Sequence, residues 1–170
     1  MAKKEMTEKD SNFVDHVVSV RRVTKVTKGG KRFSFSAFVV SGDKQGNVGI
    51  GLGKSKEATA AITKATSQAR KNMIVVPVRG TTIPYEVYGK HGAAKVVLIP
   101  ASKGTVKIAG GAVRAIIDAA GIEDALTKSL GSANGLNVAK ATLNALAKLR
   151  SAESLAKLRG MSVKEIVKGA

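Results

Sequence analysis

Residues 46 to 72 read GNVGIGLGKSKEATAAITKATSQARKN, and two different periodicities follow each other in this segment. Glycine occupies every second position from Gly49 to Gly53 and alternates with aliphatic residues, which predicts a β-strand that has no side chains on one face. From Glu57 to Asn72 the pattern predicts an amphipathic helix. Its small apolar stripe consists of Ala58, Ala61, Ile62, Ala65 and Ala69. We therefore expect this helix to lie very close to the glycine face of the strand.

The same glycines invite a second interpretation, because Gly53, Lys54 and Ser55 form the ending of a nucleotide-binding P-loop. A P-loop also needs glycine five residues before Gly53, and that position is Val48. The dinucleotide fingerprint fails too, since Lys54 stands three residues after Gly51. Close packing explains the glycines better. A nucleotide hydrolase that uses Lys54 stays open as an alternative, which loss of ATP turnover in Lys54→Ala would support.

Two more strands are predicted upstream of this segment. Residues 14 to 26 are rich in valine, and their alternation shifts near Arg21 and Arg22, which indicates a bulge or a strong twist there. A turn at Gly29 leads to a second alternating strand, in which Phe33 and Phe35 are expected to face the core.

This predicted hairpin carries a dense positive charge around two adjacent glycines. We expect it to bind RNA phosphates, with the glycines allowing backbone N–H groups to come close. The alternative is an ordinary solvated hairpin. The candidate residues are Arg21, Arg22, Lys25, Lys28, Gly29, Gly30, Lys31 and Arg32.

Two further groups of residues are candidates for contacts. The first lies at the start and on the outer side of the long helix and could meet duplex RNA, although a solvated helix face is the alternative. It consists of Lys54, Lys56, Lys64, Arg70 and Lys71. The second surrounds a predicted loop and helix start, and we leave it open, on equal terms, between RNA and a protein interface. It consists of Gly104, Lys107 and Arg114.

In the second half, residues 83 to 87 and 94 to 99 are predicted as paired strands around a turn at residues 89 to 92. A helix is predicted to open at Gly110, and residues 124 to 130 fit either a strand or a short helix. Asn137 is the expected N-cap of a further helix. Ser162 and Glu165 have the spacing of a capping box.

The composition narrows the class of protein. The 170 residues include 29 Lys and Arg against 12 Asp and Glu, a formal charge of +17, which favours a polyanionic partner. The absence of cysteine and the presence of two histidines leave little for a metal to bind or for catalysis, so we expect no enzyme, cofactor, metal or small-molecule substrate. We find neither a membrane-spanning run nor a signal peptide, and so expect a cytoplasmic protein that does not bind membranes.

Residues 30 to 54 resemble the signature of the bacterial small-subunit ribosomal protein five family. The match continues through residues 69 to 74, 100 to 101, 104 to 105, 109 to 114, 131 to 132 and 137 to 138. The resemblance implies an α+β fold with two domains. The first is a three-stranded antiparallel sheet with a helix, similar to double-stranded-RNA-binding domains, and the second is a small α/β sandwich with a left-handed βαβ connection.

On this basis the chain divides into a mobile arm (1–12), a double-stranded-RNA-binding-like domain (13–76), a linker (77–81), a C-terminal α+β domain (82–150) and a helical extension (151–170). The resemblance further implies a ribosome-bound protein that binds 16S rRNA, supports subunit assembly and contributes to decoding accuracy. Implied neighbours are small-subunit proteins four and eight and the path by which mRNA enters. The contact with protein four would fall near Gly104 and Arg114.

Three positions depart from the family pattern, namely Ser41, Val106 and Gly135. Val106 stands where a glycine is common and bears on the conformation of the loop linked to decoding. A free RNA chaperone or regulatory binder that shares only the first fold is the rival hypothesis. The second half discriminates, since a stand-alone binder would not need residues 80 to 170 to match the family.

Overall fold

The computed structural model describes residues 13 to 168, so the arm predicted for residues 1 to 12 lies outside the described residues. The first half is an antiparallel sheet in the order β1-β2-β3-β4 with one helix. Its elements are β1 (Val14–Thr27), β2 (Gly30–Gly42), β3 (Asn47–Ser55), α1 (Ala58–Lys71) and β4 (Met73–Val75). The predicted three strands and helix are confirmed, and a three-residue strand extends the sheet.

The glycines of β3 bring the backbone of α1 directly onto the backbone of the strand. A Cβ atom at Gly51 would lie 1.9 Å from the carbonyl oxygen of Ala65, and one at Gly53 would lie 2.1 Å from that of Ala61. No side chain heavier than hydrogen fits in either place. The close approach predicted from the alternating glycines and the alanine stripe is therefore confirmed.

The second half is a mixed sheet in the order β5-β6-β8-β7. Its elements are β5 (Val87–His91), β6 (Ala94–Pro100), β7 (Lys107–Ile108), α2 (Gly111–Ala120), β8 (Ala125–Gly131) and α3 (Gly135–Lys148), followed by α4 (Ala152–Arg159) and α5 (Val163–Lys168). Strands β7 and β8 are parallel, so β7, α2 and β8 form a βαβ unit. The α+β class with two sheets is confirmed, and the hand of the connection stays a prediction.

The two halves share one buried core. Phe38 and Val40 point from β2 away from α1 and lie in the same cluster as Ile116 and Ile117 of α2. The backbone also joins the halves, because the amide of Lys44 donates to the carbonyl of Ala119 at 3.0 Å. The first sheet is thus covered by α1 on one face and by α2 on the other, and the boundaries at residues 77 to 81 stay a prediction.

Two expectations for the hairpin strands were wrong. The register of β1 against β2 shifts between Val17 and Ser19, so the bulge lies several residues before Arg22. Phe33 is 48% exposed, because the hairpin extends past the end of β3 and nothing covers the ring there.

Three predictions for the second half were wrong. Strand β5 starts at Val87, so the strand predicted for residues 83 to 87 was wrong and Gly89 lies inside a strand. The glycine is needed there because a Cβ would lie 2.0 Å from the carbonyl oxygen of Ala141 in α3. The N-cap of α3 is Asn134, whose Oδ1 accepts from the amide of Leu136 at 3.2 Å, and not Asn137.

Other local predictions are confirmed. Helix α2 starts directly after Gly110, and the ambiguous segment is strand β8. The capping box of α5 is reciprocal: the amide of Ser162 donates to Glu165 at 2.8 Å, and the amide of Glu165 donates to the Ser162 hydroxyl.

The outer edge of β5 is covered by side chains instead of another strand. Asn144 Nδ2 donates to the carbonyl of Lys90 at 3.0 Å, and Lys148 Nζ donates to that of Tyr88 at 3.0 Å. Both hydrogen bonds can form because the donors are four residues apart in a helix and the acceptors are two residues apart in a strand, and each of these separations is about 6 Å. Two acceptors that could pair with a foreign strand are thereby occupied.

Candidate nucleic-acid interface

The most prominent feature of the surface is the hairpin of residues 21 to 36, which we call the basic ribbon and whose outer part extends the first sheet as two strands. Strand β3 pairs with β2 only as far as the pair Phe35 and Ser55, whereas β1 and β2 stay paired to the turn between Thr27 and Gly30. The free part is about six residues long, which corresponds to about 20 Å. It therefore projects beyond the rest of the fold.

The pairing register distributes the charges of the ribbon over both faces. Arg21, Lys25 and Arg32 share the face that continues toward α2, while Arg22 and Lys31 share the opposite face. Lys28 lies in the turn. All six are exposed, and the sequence holds no Asp or Glu between Asp15 and Asp43. The ribbon is thus cationic on every side.

The tip of the ribbon is open to a close approach. A Cβ at Gly29 or Gly30 would meet nothing within 4 Å, and Gly30 has a φ of +139°, which side chains rarely adopt. The Thr27 hydroxyl donates to the Gly30 carbonyl at 3.0 Å and closes the turn. A phosphate can therefore reach the backbone at this point.

Arg22 is held in place by a ring. Its guanidinium carbon lies 4.5 Å from the centre of Phe33, which is a cation–π distance. Phe33, which was predicted to face the core, is thus exposed and orients Arg22, whose guanidinium N–H groups stay in solvent.

Lys54 joins the ribbon at its base. Ser36 pairs with Arg21 on one side and with Lys54 on the other, so both cations lie on one face about 10 Å apart. Beside them is a groove of about 590 Å³. Its other walls are the starts of α2 and α3, at Gly111 and at residues 133 to 136. The groove could not be predicted from the sequence, because three segments far apart in the chain form it and none carries a local signal.

The predicted residues of α1 divide into two groups. Lys64 and Lys71 are exposed and lie seven residues apart on one face, and Lys56 is exposed just before the helix. Arg70 instead contacts the chain itself: its Nη2 lies 3.0 Å from Asp15 Oδ2 and its guanidinium stacks over Phe13. Arg70 therefore ties the start of β1 to the end of α1.

The predicted protein-contact residues surround the loop between β6 and β7. Gly104 lies in the loop with a φ of +90°, and Arg114 is exposed on the first turn of α2. Lys107 forms an ion pair with Asp118 within the chain. The buried side chain of Asp124, which is 4% exposed, holds this loop in place. Asp124 was not predicted as a site residue from the sequence. A lone aspartate in an ambiguous segment gives no signal.

Asp124 acts as a clamp on this loop. Its Oδ1 accepts from the amides of Gly104 at 3.1 Å and Val106 at 3.0 Å. A hydrogen bond from Thr81, together with these amides, holds the pKa of Asp124 below its ordinary 3.8. Val106 has a φ of +66°, a conformation that costs a β-branched residue about 1 kcal/mol or more. The loop therefore has a left-handed turn at a residue with a branched side chain.

Within residues 13 to 168, no three His, Asp or Glu side chains come close enough to form a metal site. No helix in that range has the length and apolar character that crossing a membrane requires.

Two family models match the chain. Residues 13 to 77 match the N-terminal domain of ribosomal protein S5, and residues 89 to 159 match its C-terminal domain. The chain belongs to the ribosomal protein S5 family. It is accordingly a structural constituent of the small ribosomal subunit and not an enzyme.

Curated relatives agree over nearly the whole chain. The small ribosomal subunit protein uS5 of Syntrophobacter fumaroxidans is 58% identical over 154 residues, which cover 91% of this chain and 93% of the relative. That of Flavobacterium psychrophilum is 54% identical over 155 residues, with 91% and 89% covered. That of Thermotoga maritima is 51% identical over 157 residues, with 92% and 88% covered.

Proposed function

We propose that this small-subunit constituent binds 16S rRNA through the basic ribbon, and that it thereby supports subunit assembly and decoding accuracy. The observation that carries the proposal is a ribbon of six exposed cations without any carboxylate, four of which, Lys25, Lys28, Lys31 and Arg32, lie past the last residue pair with β3. Such a surface gains binding free energy by releasing counterions from phosphates.

The arrangement of the charges favours contact with RNA strands on more than one side. Arg21, Lys25 and Arg32 can meet phosphates on one face of the ribbon, while Arg22 and Lys31 meet phosphates on the other. Lys54 and the groove at the base continue the first face, so that an RNA backbone can run from the tip toward α2. These are contacts with shape and backbone rather than with base edges.

The second half supports a contact with neighbouring proteins. The clamped loop presents Lys103 and Val106 to solvent, and Arg114 is exposed on the first turn of α2. A fixed loop loses little conformational entropy when it binds, which suits a contact that restrains a neighbour. We assign this surface to small-subunit protein four, and we place protein eight and the path by which mRNA enters nearby. The complex lies in the cytoplasm.

Binding to 16S rRNA across a series of salt concentrations tests the proposal. We expect the logarithm of the binding constant to fall steeply and linearly with the logarithm of the salt concentration. In the variant Lys25→Ala, Lys28→Ala and Lys31→Ala, the slope should decrease by about two to three, since each lost phosphate contact removes about one.

The matched control removes three exposed lysines from the C-terminal helices: Lys140→Ala, Lys157→Ala and Lys164→Ala. This control has the same net charge as the ribbon variant and should change the slope little. Equal slopes for the two variants, or binding that does not depend on salt, would contradict the proposal. Misreading by ribosomes that carry Arg114→Ala tests the decoding part, and unchanged accuracy would count against it.

A further inference from the structure

The second sheet has one covered face and one open face. Helix α3 packs on β5 and β6, where Gly89 of β5 and Val96 and Leu98 of β6 are buried. The residues between them point the other way and stay accessible, for example Tyr88 at 60% and Leu130 at 47% exposure. We call this side the open face; it consists of Tyr88, Lys90, Lys95, Val97, Ile99, Leu126, Lys128 and Leu130.

Three lysines stand close together on the open face. Lys90 and Lys95 are directly opposite each other on β5 and β6, and Lys128 lies on the next strand opposite Val97. Like charges in directly opposite positions destabilise a sheet. A negative group from outside that lies between Lys90 and Lys95 removes this repulsion.

Among the described residues, 13 to 168, no carboxylate forms an ion pair with these three lysines. Glu86, four residues before Lys90, accepts a hydrogen bond from the Tyr88 hydroxyl. Asp124, four residues before Lys128, accepts from the amides of Gly104 and Val106. The ion pairs found within residues 13 to 168 involve Arg70 and Lys107 and not these three lysines. Charge complementarity therefore requires an acidic partner.

The rest of the open face indicates that the acidic partner is a protein. Five of its eight side chains are aliphatic or aromatic: Tyr88, Val97, Ile99, Leu126 and Leu130. An accessible apolar patch beside charged residues is typical of protein interfaces. A phosphate partner would pair with the lysines but would leave the aliphatic side chains exposed to water.

We propose that the open face binds a protein surface on which carboxylates surround an apolar patch, and that this contact forms in the assembled small subunit. Acidic side chains of the partner pair with Lys90, Lys95 and Lys128, and its apolar side chains cover Val97, Ile99 and Leu130. The inference rests on membership of the small subunit and not on the RNA contact proposed for the ribbon.

Site-specific photo-crosslinking in purified small subunits tests it. The change Tyr88→p-benzoylphenylalanine places the probe on the open face directly opposite Val97, and the same probe at Glu153 on α4 reports the background. We expect Tyr88 to crosslink to a protein peptide that contains Asp or Glu. A crosslink to rRNA, or a yield no greater than at Glu153, would overturn the inference even if the ribbon binds rRNA as proposed.

A charge variant separates specific pairing from simple proximity. With Lys90→Gln, Lys95→Gln and Lys128→Gln added, the yield at Tyr88 should fall roughly five- to thirty-fold, because three exposed ion pairs are lost. Lys140→Gln, Lys157→Gln and Lys164→Gln make the matched control and should leave the yield unchanged. Equal yields with both triple variants would refute the role of the lysines. The circular dichroism of each variant verifies its fold.

Discussion

At the scale of single residues, three glycines in β3 determine how the first helix lies on its sheet. Because hydrogen is the only substituent that fits between Gly51 and the carbonyl of Ala65, the two backbones are in direct contact. Any larger group must push α1 away from the sheet and disturb the buried alanines with it.

Gly51→Ala should therefore destabilise the protein strongly, by about 2 kcal/mol or more, since overpacking of this kind commonly costs 1 to 3 kcal/mol. Chemical denaturation of the full chain measures the effect. Gly29→Ala is the control, because a Cβ at Gly29 meets nothing within 4 Å and should change stability little. Similar losses for both variants would show that glycine flexibility matters here and that close packing does not.

Asp124 makes the stability of the loop depend on pH. Its pKa in the folded protein lies below the ordinary 3.8, so the carboxylate favours the folded state above that value. This contribution is lost as the pH falls through 3.8 and below. Asp124→Asn keeps an acceptor for the two amides but does not titrate.

We accordingly expect the free energy of unfolding of Asp124→Asn to fall less steeply with acid than that of the original chain. Denaturation curves at a series of acidic pH values measure this slope, and Glu153→Gln on the exposed side of α4 is the control. If Asp124→Asn and the original chain lose stability in parallel, the clamp does not contribute to the acid response.

At the scale of elements, side chains of α3 cover the outer edge of β5, where a further strand could otherwise pair. Asn144 and Lys148 of α3 occupy two backbone carbonyls that face away from β6. An uncovered edge strand is a template for pairing with another chain.

The double variant Asn144→Ala and Lys148→Ala should therefore self-associate through β5 as its concentration rises. Sedimentation velocity at increasing concentrations detects this change, and Lys140→Ala, on the same helix but without such a contact, is the control. A double variant that stays monomeric would show that the remaining side chains of the edge suffice to block pairing.

Elements with a strong period could be predicted from the sequence, and those set by distant contacts could not. Strands β2 and β3 and helix α1 follow from alternation and from the alanine stripe. Strand β5 was misplaced because Gly89 looks like a turn residue, whereas it is there to let α3 approach. Asn134 and Asn137 are the same residue type and so have equal N-cap preference, and only packing decides which of the two caps α3.

At the scale of the whole molecule, the two family domains share the larger of two buried clusters through α2. Ile116 and Ile117 contribute to the same buried cluster as Phe38 and Val40 of the first sheet. A Cβ at Gly42 would lie 2.2 Å from the carbonyl oxygen of Ala119, so the junction is as tight as the contact within the first domain.

The chain should therefore unfold in one cooperative transition, with equal calorimetric and van't Hoff enthalpies in differential scanning calorimetry. A fragment of residues 1 to 80 should lack this transition, because Phe38, Val40 and Val48 lose their cover. Two separate transitions in the full chain would contradict the shared core.

At this scale too, the local parts of the candidate site could be predicted from the sequence, and the parts formed by distant segments could not. The cations of the ribbon could be located from residues 21 to 32 alone, because a hairpin with glycines at its turn is a local pattern. The groove beside Arg21, the clamp at Asp124 and the open face depend on segments that meet only in three dimensions. The ion pair that occupies Arg70 is invisible for the same reason, since Asp15 lies 55 residues away.

The lack of any carboxylate in the ribbon gives dissolved ions two opposing roles. In the unbound protein, counterions screen the mutual repulsion of the six cations, so that the two strands hold together better in a concentrated electrolyte than in a dilute one. The same counterions compete with phosphates for those cations. The medium in which the ribbon is best ordered by itself is thus the one in which it holds a nucleic acid least tightly.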